Sequence, residues 1–274
     1  MDKTSLGDRM KEYEAVYDVS MMRRVPVVVR LDGKGFSRLT KRLKLEKPFD
    51  QRFLTVMADT MVAVASQVQG CVVGYTQSDE ISIAIINHRT LDAEPYFGNR
   101  ILKIASITAS MATARFNRRL WRILPSNDKD DDGEAYFDSR PFTMPTAVEA
   151  MNALIWRQQD CVRNSILSAA YYEIGKVKGR KTTQKMMYGL DTSQLQELLF
   201  QEVGINWSTH YSPELKRGTV TYRKMVEIET PNGKAVRHKW VTEAAPVFQS
   251  EDGKKWLLSL LDVTPGKTEE VDVA

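Results

Sequence analysis

Residues 25–36, Val-Pro-Val-Val-Val-Arg-Leu-Asp-Gly-Lys-Gly-Phe, limit what this chain can fold into more than any other stretch. Val25 to Val29 is an apolar, largely β-branched run without alternation, the pattern of a strand buried on both faces. The run then breaks into Asp32, Gly33, Lys34 and Gly35. A carboxylate at the end of a buried strand is costly unless something positive lies against it. Two glycines allow a tight turn whose backbone N–H groups approach an anion closely. Asp-Gly is also ordinary turn chemistry, but the combination points to a metal–phosphate site at a strand end.

A second stretch strengthens that reading. Cys71 to Tyr75 and Ile81 to Ile86 read as strands joined by Thr76-Gln77-Ser78-Asp79-Glu80, a hairpin with two carboxylates at its turn. Returned to the sheet of the first strand, this acidic tip and Asp32 form one site. Adjacent strand residues face opposite ways, so Asp79 is favoured over Glu80 as a metal ligand.

In chain order, residues 5–19 carry Met10, Tyr13, Val16 and Tyr17 at helical spacing. Asp50 is a candidate N-cap for a helix to about Gln69, ended by Gly70. A helix over 97–120 turns Phe97, Ile101, Ile104, Ala105, Thr108 and Ala112 inward, and 136–143 is a strand. This β-α-β-β-α-β order predicts an α+β fold with a ferredoxin-type core, residues 1–143, whose first and third strands are central neighbours. Asp32 and Asp79 so placed suit a pair of Mg²⁺ ions holding phosphate oxygens.

Residues 144–262 read as a helical and β-hairpin elaboration on the same unit, and 263–274 as a disordered tail. The longest helix, to about Ile174, has a buried stripe of Val148, Met151, Ile155, Val162, Ile166 and Ala169. Arg157, Asp160, Asn164 and Ser168 mark another face. Gly179-Arg180-Lys181-Thr182 reads as a basic loop, followed by a helix over 190–203 and a hairpin across Pro231-Asn232-Gly233. Asp128 to Gly133 imitates an EF-hand start, but Ser139 stands where the bidentate Glu belongs. Lys34 lacks the spacing of a P-loop.

The net charge of +4 decides little; its distribution, with basic clusters interleaved with Trp and Tyr, suits a polyanion partner. No apolar run reaches membrane-spanning length, the N-terminus has no signal-peptide pattern, and Cys71 and Cys161 read as buried thiols. A cytoplasmic protein with no membrane partner is expected.

Several blocks together resemble one family. Arg30 to Phe36, Lys47-Pro48-Phe49-Asp50, Gln77-Ser78-Asp79-Glu80, Trp156-Arg157-Gln158-Gln159-Asp160-Cys161 and Lys216-Arg217-Gly218-Thr219 are similar, in order, to motifs of the tRNA-His guanylyltransferases and their guanylyltransferase-like relatives. The resemblance implies a palm-type core working in the 3′–5′ direction, with ATP activating a tRNA 5′ end and GTP or another nucleotide then added. It implies metal ligation by Asp32, the Gly33 carbonyl and Asp79, with Glu80 a weaker catalytic candidate. Lys47 and Asp50 match residues of activation and nucleotide handling; Lys34, Gly35, Phe36 and Ser78 lie in the nucleotide-binding blocks. Arg100 and Lys103 match triphosphate contacts, and Arg140 and Asn206 match positions near a second nucleotide. Arg157, Asn164, Arg180, Lys181, Lys216 and Arg217 are the RNA-facing candidates, with a structural Arg157–Asp160 pair an equal alternative for Arg157, and the family assembly is a homotetramer.

One departure matters. Where eukaryotic members continue His-Ile-Asn-Asn, this chain has Val162-Arg163-Asn164-Ser165. Valine cannot make the polar contact tied to choosing tRNA-His, so the resemblance favours templated 5′-end repair over guanylate addition to tRNA-His. A nucleotide cyclase shares the acidic sites but needs no RNA surface. A silent RNA-binding protein needs no paired carboxylates.

Overall fold

In the computed structural model, residues 5–123, 134–230 and 233–261 are described. The imitation EF-hand loop at 128–133 and the tail at 263–274 fall outside them. Six strands form one antiparallel sheet in the order β4-β1-β3-β2-β5-β6: β1 (Val27–Gly33), β2 (Cys71–Gln77), β3 (Glu80–Ile85), β4 (Phe137–Thr143), β5 (Thr219–Thr230) and β6 (Gly233–Ala244). As the sequence predicts, β1 and β3 are neighbours, with Asp32 in register with Glu80. On the other side β1 pairs β4, placing Arg30 opposite Arg140 and Asp32 opposite Asp138.

The unbroken apolar run of β1 follows from packing on both faces. Val27, Val29 and Leu31, with Ile81, Ile83 and Ile85, meet the apolar faces of α3 (Gln51–Gln67) and α4 (Ile101–Ile123). Val28, Ala84, Val73 and Tyr75 meet α5 (Ala147–Lys178), Phe248 and α10 (Glu251–Leu261). The far end of α5 carries a third cluster with Leu195 and Leu199 of α7 (Thr192–Val203). Inside the sheet junction, Gln158 accepts from the Phe248 N–H and donates to Pro246, clamping the segment after β6 to α5.

Several expected boundaries move for local reasons. Phe97, Gly98 and Asn99 all have positive φ, so a 3₁₀ turn over Tyr96–Asn99 precedes α4 and Phe97 is not on its buried face. That face is Ile104, Thr108, Ala112, Phe116 and Leu120. Val148 stays exposed because it lies in the first turn of α5, ahead of Ala150, where packing begins. The expected basic loop at Arg180 is helical: Gly179, at φ 78°, ends α5, and α6 (Arg180–Met186) starts at once. The N-terminal helix, α1 (Ser5–Ala15), has no buried residue. No described helix is long and apolar enough to cross a membrane.

The turn after β1 is held by aromatic packing. Phe36 opens α2 (Phe36–Arg42) and packs its ring against Phe53, Phe116 and Phe137 at centroid distances of 6.0, 5.1 and 5.1 Å. A Cβ at Gly33 would lie 2.4 Å from that ring. Gly33→Ala should therefore push Phe36 from its cluster and cost about 1–3 kcal/mol, measured by urea unfolding. A neutral result would show that the turn gives way freely.

Candidate active site

Three strand ends converge beyond Asp32. The Gly33 N–H donates to the Asp79 carbonyl at 3.0 Å, and the Lys34 N–H to the Tyr136 carbonyl at 2.8 Å. These two N–H groups, expected to face an anion, instead tie the turn to β3 and β4. Burial pushes the Asp79 carboxyl up, the Ser78 hydroxyl bonded to it at 3.0 Å works against this, and the charge of Asp32 adds to the rise. Asp32 is half exposed, with Arg140 Nη2 at 3.9 Å; Arg140 also meets Asp138 at 3.1 Å.

Two carboxylates near enough to repel each other suit a cation. Among the described residues no three His, Cys, Asp or Glu side chains come together as a metal cluster. A metal here would take two carboxylates and complete its shell from backbone, phosphate and water oxygens, a donor set that fits Mg²⁺.

Beside Asp79 opens a cleft of about 670 Å³. Its walls come from α2, the segment from Lys44 to Asp50, the middle of α5 and the start of α6. Ser78 and Asp79 stand at one side, with Asn164, Ser168 and Tyr172 of α5 across from α2. The Lys47 ammonium and the Arg180 guanidinium each lie 5.8 Å from the Tyr172 ring centroid. Cations around an aromatic ring suit a ligand with both phosphate and base. Tyr172 is absent from the expected set. Extending the stripe Arg157, Asp160, Asn164, Ser168 by one further helical turn reaches it.

Other expected site residues have different work. Glu80 faces away from the cleft and accepts from Arg157 Nε at 2.6 Å, while Arg157 Nη2 reaches Asp160 at 2.8 Å. Their side chains are 8% and 12% exposed, so Arg157 is an internal ion-pair partner and not an RNA contact. Phe36 is a packing residue. Lys216, expected to face RNA, is buried and donates to the Ser208 carbonyl; Arg217 Nε donates to Ala245 at 3.2 Å. Asn206 caps the short helix α8 (Trp207–His210) by accepting from the Ser208 N–H. Lys34 and Gly35 are exposed, Gly35 at φ 69° starting α2. Asn164 donates to Asp160, and Lys181 lies exposed on α6 beside Arg180.

Arg100 and Lys103 are far from Asp32 within one chain. Ser20 bridges Arg100, and Asn99 bonds Asn87 just past the end of β3, near Val27. Val27 and Asp32 are opposite ends of β1, roughly 17 Å apart by strand rise. Lys103 stands instead over the Phe97 ring.

Asp50 is buried and saturated. It accepts from the N–H groups of Glu46, Arg52 and Phe53 and from the Arg52 guanidinium at 2.6 Å. It is the predicted N-cap of α3, and it fixes the segment that presents Lys47. Burial raises its carboxyl, but Arg52 and the Glu46 and Phe53 N–H groups outweigh this and hold the pKa at about 2.

Two expectations follow. Asp50→Ala should cost about 1–2 kcal/mol; because the folded pKa is lowered, that stabilisation is complete above the unfolded carboxylate value of about 4 and fades as pH falls towards 2. Denaturant melts of both proteins between pH 7 and pH 2 check this, and a constant difference would contradict it. Arg157→Ala should cost about 3–5 kcal/mol, since it strands Glu80 without its partner. Glu80→Gln, which leaves a hydrogen-bonding amide, should cost less in the same melts.

Comparison with known proteins gives the family. The family description tRNAHis guanylyltransferase matches residues 7–145, and the "Thg1 C terminal domain" matches residues 149–255. An uncharacterised protein of Acanthamoeba polyphaga mimivirus is 32% identical over 262 residues, 89% of this chain and 84% of that protein. A probable tRNA(His) guanylyltransferase of Drosophila melanogaster is 29% identical over 80% of this chain and 74% of its own length. A solved bacterial tRNA(His) guanylyltransferase-like protein in complex with ATP superposes with a TM-score of 0.79 at 31% identity, covering 95% of this chain and all (100%) of that one. A bacterial guanylyltransferase-like protein in complex with GTP gives 0.72 at 31% identity, covering 94% and 99%. The chain belongs to the tRNA(His) guanylyltransferase family of nucleotidyltransferases.

Proposed function

We propose that this enzyme adds nucleotides to the 5′ end of tRNA in the 3′–5′ direction, as templated end repair. The observation that carries this is the Gly33 to Asp79 backbone bond, which ties the turn after Asp32 to Asp79 at the edge of a cleft lined by Lys47, Arg180 and Tyr172. The strand order β4-β1-β3-β2 supports reading the first part of the chain as a palm-like, ferredoxin-type core, with the remainder packed on it as one unit. ATP and GTP, bound in the bacterial relatives, would occupy this cleft in turn.

Activation is attack of the RNA 5′-phosphate oxygen on the α-phosphorus of ATP, with pyrophosphate leaving. In the second reaction the 3′-hydroxyl of the incoming nucleotide attacks the activated 5′-phosphorus and AMP leaves. Lys47 and Arg180 neutralise triphosphate oxygens and Tyr172 offers a stacking face; Ser78 orients the Asp79 carboxylate. Asp32, Asp79 and the Gly33 carbonyl would hold Mg²⁺, which supplies charge neutralisation on phosphate and a lowered pKa for an attacking hydroxyl. Arg100 and Lys103 lie away from this centre, which supports an assembly, a homotetramer, in which they serve another copy's substrate. Val162, which is only partly buried in α5, offers no polar group to select tRNA-His, and this favours repair over guanylate addition to that tRNA.

The test uses 5′-labelled monophosphorylated tRNAs, one full-length tRNA-His and one non-His tRNA lacking its first nucleotide, with Mg²⁺, ATP and nucleotides. Extension of the truncated tRNA by the complementary nucleotide is expected; extension of tRNA-His alone by G would overturn the repair reading. Asp79→Asn should lower turnover about 100-fold or more. It should also raise Tm in EDTA, because the ionised carboxylate, its pKa raised by burial and by Asp32, opposes folding above its unfolded pKa. Unchanged turnover would remove Asp79 from the mechanism.

A further inference from the structure

Trp156 is a large aromatic left open on a helix that otherwise covers the sheet. It is 54% exposed, while Ile155 and Gln158 beside it on α5 are buried. Two guanidiniums hold the indole: Arg157 at 4.4 Å and Arg30 at 5.9 Å from its ring. Arg157 is itself locked by Glu80 and Asp160, so the ring has a fixed base.

The surrounding sheet face carries charges of both signs, Arg30, Arg140 and Arg157 with Asp32, Asp138 and Glu80, and its pairing is incomplete at Arg30. Arg30 stands on β1 with its Nε buried and without a hydrogen-bond partner. Directly across the ladder is Arg140, which is half exposed. Like charges opposite one another in a sheet are destabilising, and an anion between them would relieve both. Asp32 and Asp138 share this face and engage Arg140. Arg163, seven residues after Trp156 and exposed, stands two turns along the same side of α5.

This face is separate from the nucleotide cleft. Asp79 lines the cleft, whose α5 wall runs from Cys161 to Tyr172, whereas Trp156, Arg30, Arg140 and Asp32 do not line it, and Asp32 shares the β1 face of Val28 and Arg30. The two carboxylates thus stand between a cleft that suits a triphosphate and an open face with an aromatic plate and the Arg30 guanidinium, whose buried Nε has no hydrogen-bond partner among the described residues. A strand that is to be extended must reach the carboxylates from a side the triphosphate does not occupy.

We propose that Trp156 is the stacking platform for the 5′-terminal nucleotide of the RNA substrate, with Arg30 and Arg140 holding its phosphate. Trp156 is a positioning and binding residue for RNA, and it takes no part in holding ATP. This rests on the nucleotidyltransfer reading above and assigns its RNA side to one face of the sheet.

The experiment measures binding of a 5′-monophosphorylated, end-truncated tRNA by filter retention, together with KM for the same RNA and for ATP. Trp156→Ala should weaken RNA binding and raise the RNA KM about ten-fold or more, with the ATP KM unchanged. Trp156→Phe, which keeps a stacking face and guards against a folding defect, should retain most of the affinity. Arg30→Gln should lower the salt slope of RNA binding by about one unit. Unaltered RNA affinity in folded Trp156→Ala would overturn the proposal, as would a rise confined to the ATP KM. Binding that depends on Trp156 in a protein that transfers no nucleotide would uphold the platform and defeat the transfer reading. Transfer with Trp156-independent RNA affinity would do the reverse.

Discussion

A strand sealed on both faces can present a carboxylate only where it runs out of sheet. β1 has β3 and β4 at its edges and apolar clusters above and below, so Asp32 is usable because it sits at the last turn of the ladder. The Gly33 N–H then finds its partner in the Asp79 carbonyl, and that bond sets the separation of the two acidic groups. Phe36, packed among Phe53, Phe116 and Phe137, requires glycine at position 33 and anchors the turn from beneath. Both carboxylates are therefore mounted on packed strand ends, the kind of support that holds a site's geometry.

Charges near the site divide into those that hold and those left to act. Glu80 and Arg157 neutralise one another, Asp50 is consumed by Arg52 and three backbone N–H groups, and Lys216 is turned inward to Ser208. Each such commitment lowers the cost of burying the group. Among the described residues, Asp32, Asp79, Lys47, Arg180 and Arg30 make no comparably short ion pair and stand at the cleft or the adjoining sheet face. Asp32 raises the Asp79 carboxyl, and Arg30 stands across the ladder from Arg140, which meets Asp138 and Asp32.

Much of this was legible in residue order. The buried strand, the acidic hairpin, the Asp50 cap and the neighbour relation of β1 and β3 all follow from local patterns whose partners are close in sequence or dictated by strand alternation. That Asp79 lines the cleft while Glu80 turns to Arg157 agrees with the two-residue period of a strand. Arg157, whose pairing with Asp160 the sequence left open, also meets Glu80, and Lys216 and Arg217, read as RNA-facing, turn to the carbonyls of Ser208, eight residues back, and of Ala245. Arg100 and Lys103 read as part of the same site, yet they lie at the other end of the sheet, because α4 begins beside Asn87 and not beside Asp79.

The sequence by itself determined most helices and strands, though not the helix at Arg180 or the start of α4, and that carboxylates stand at two strand ends, because apolar periodicity and turn chemistry act over a few residues. Only the tertiary structure decided which charges are free. That choice depends on contacts between α5, the sheet and the segments after it, such as Arg157 with Glu80 and Tyr172 with Lys47 and Arg180. Whether a charged side chain binds a substrate or a neighbour depends on its desolvated surroundings, and these exist only once distant parts of the chain are packed together.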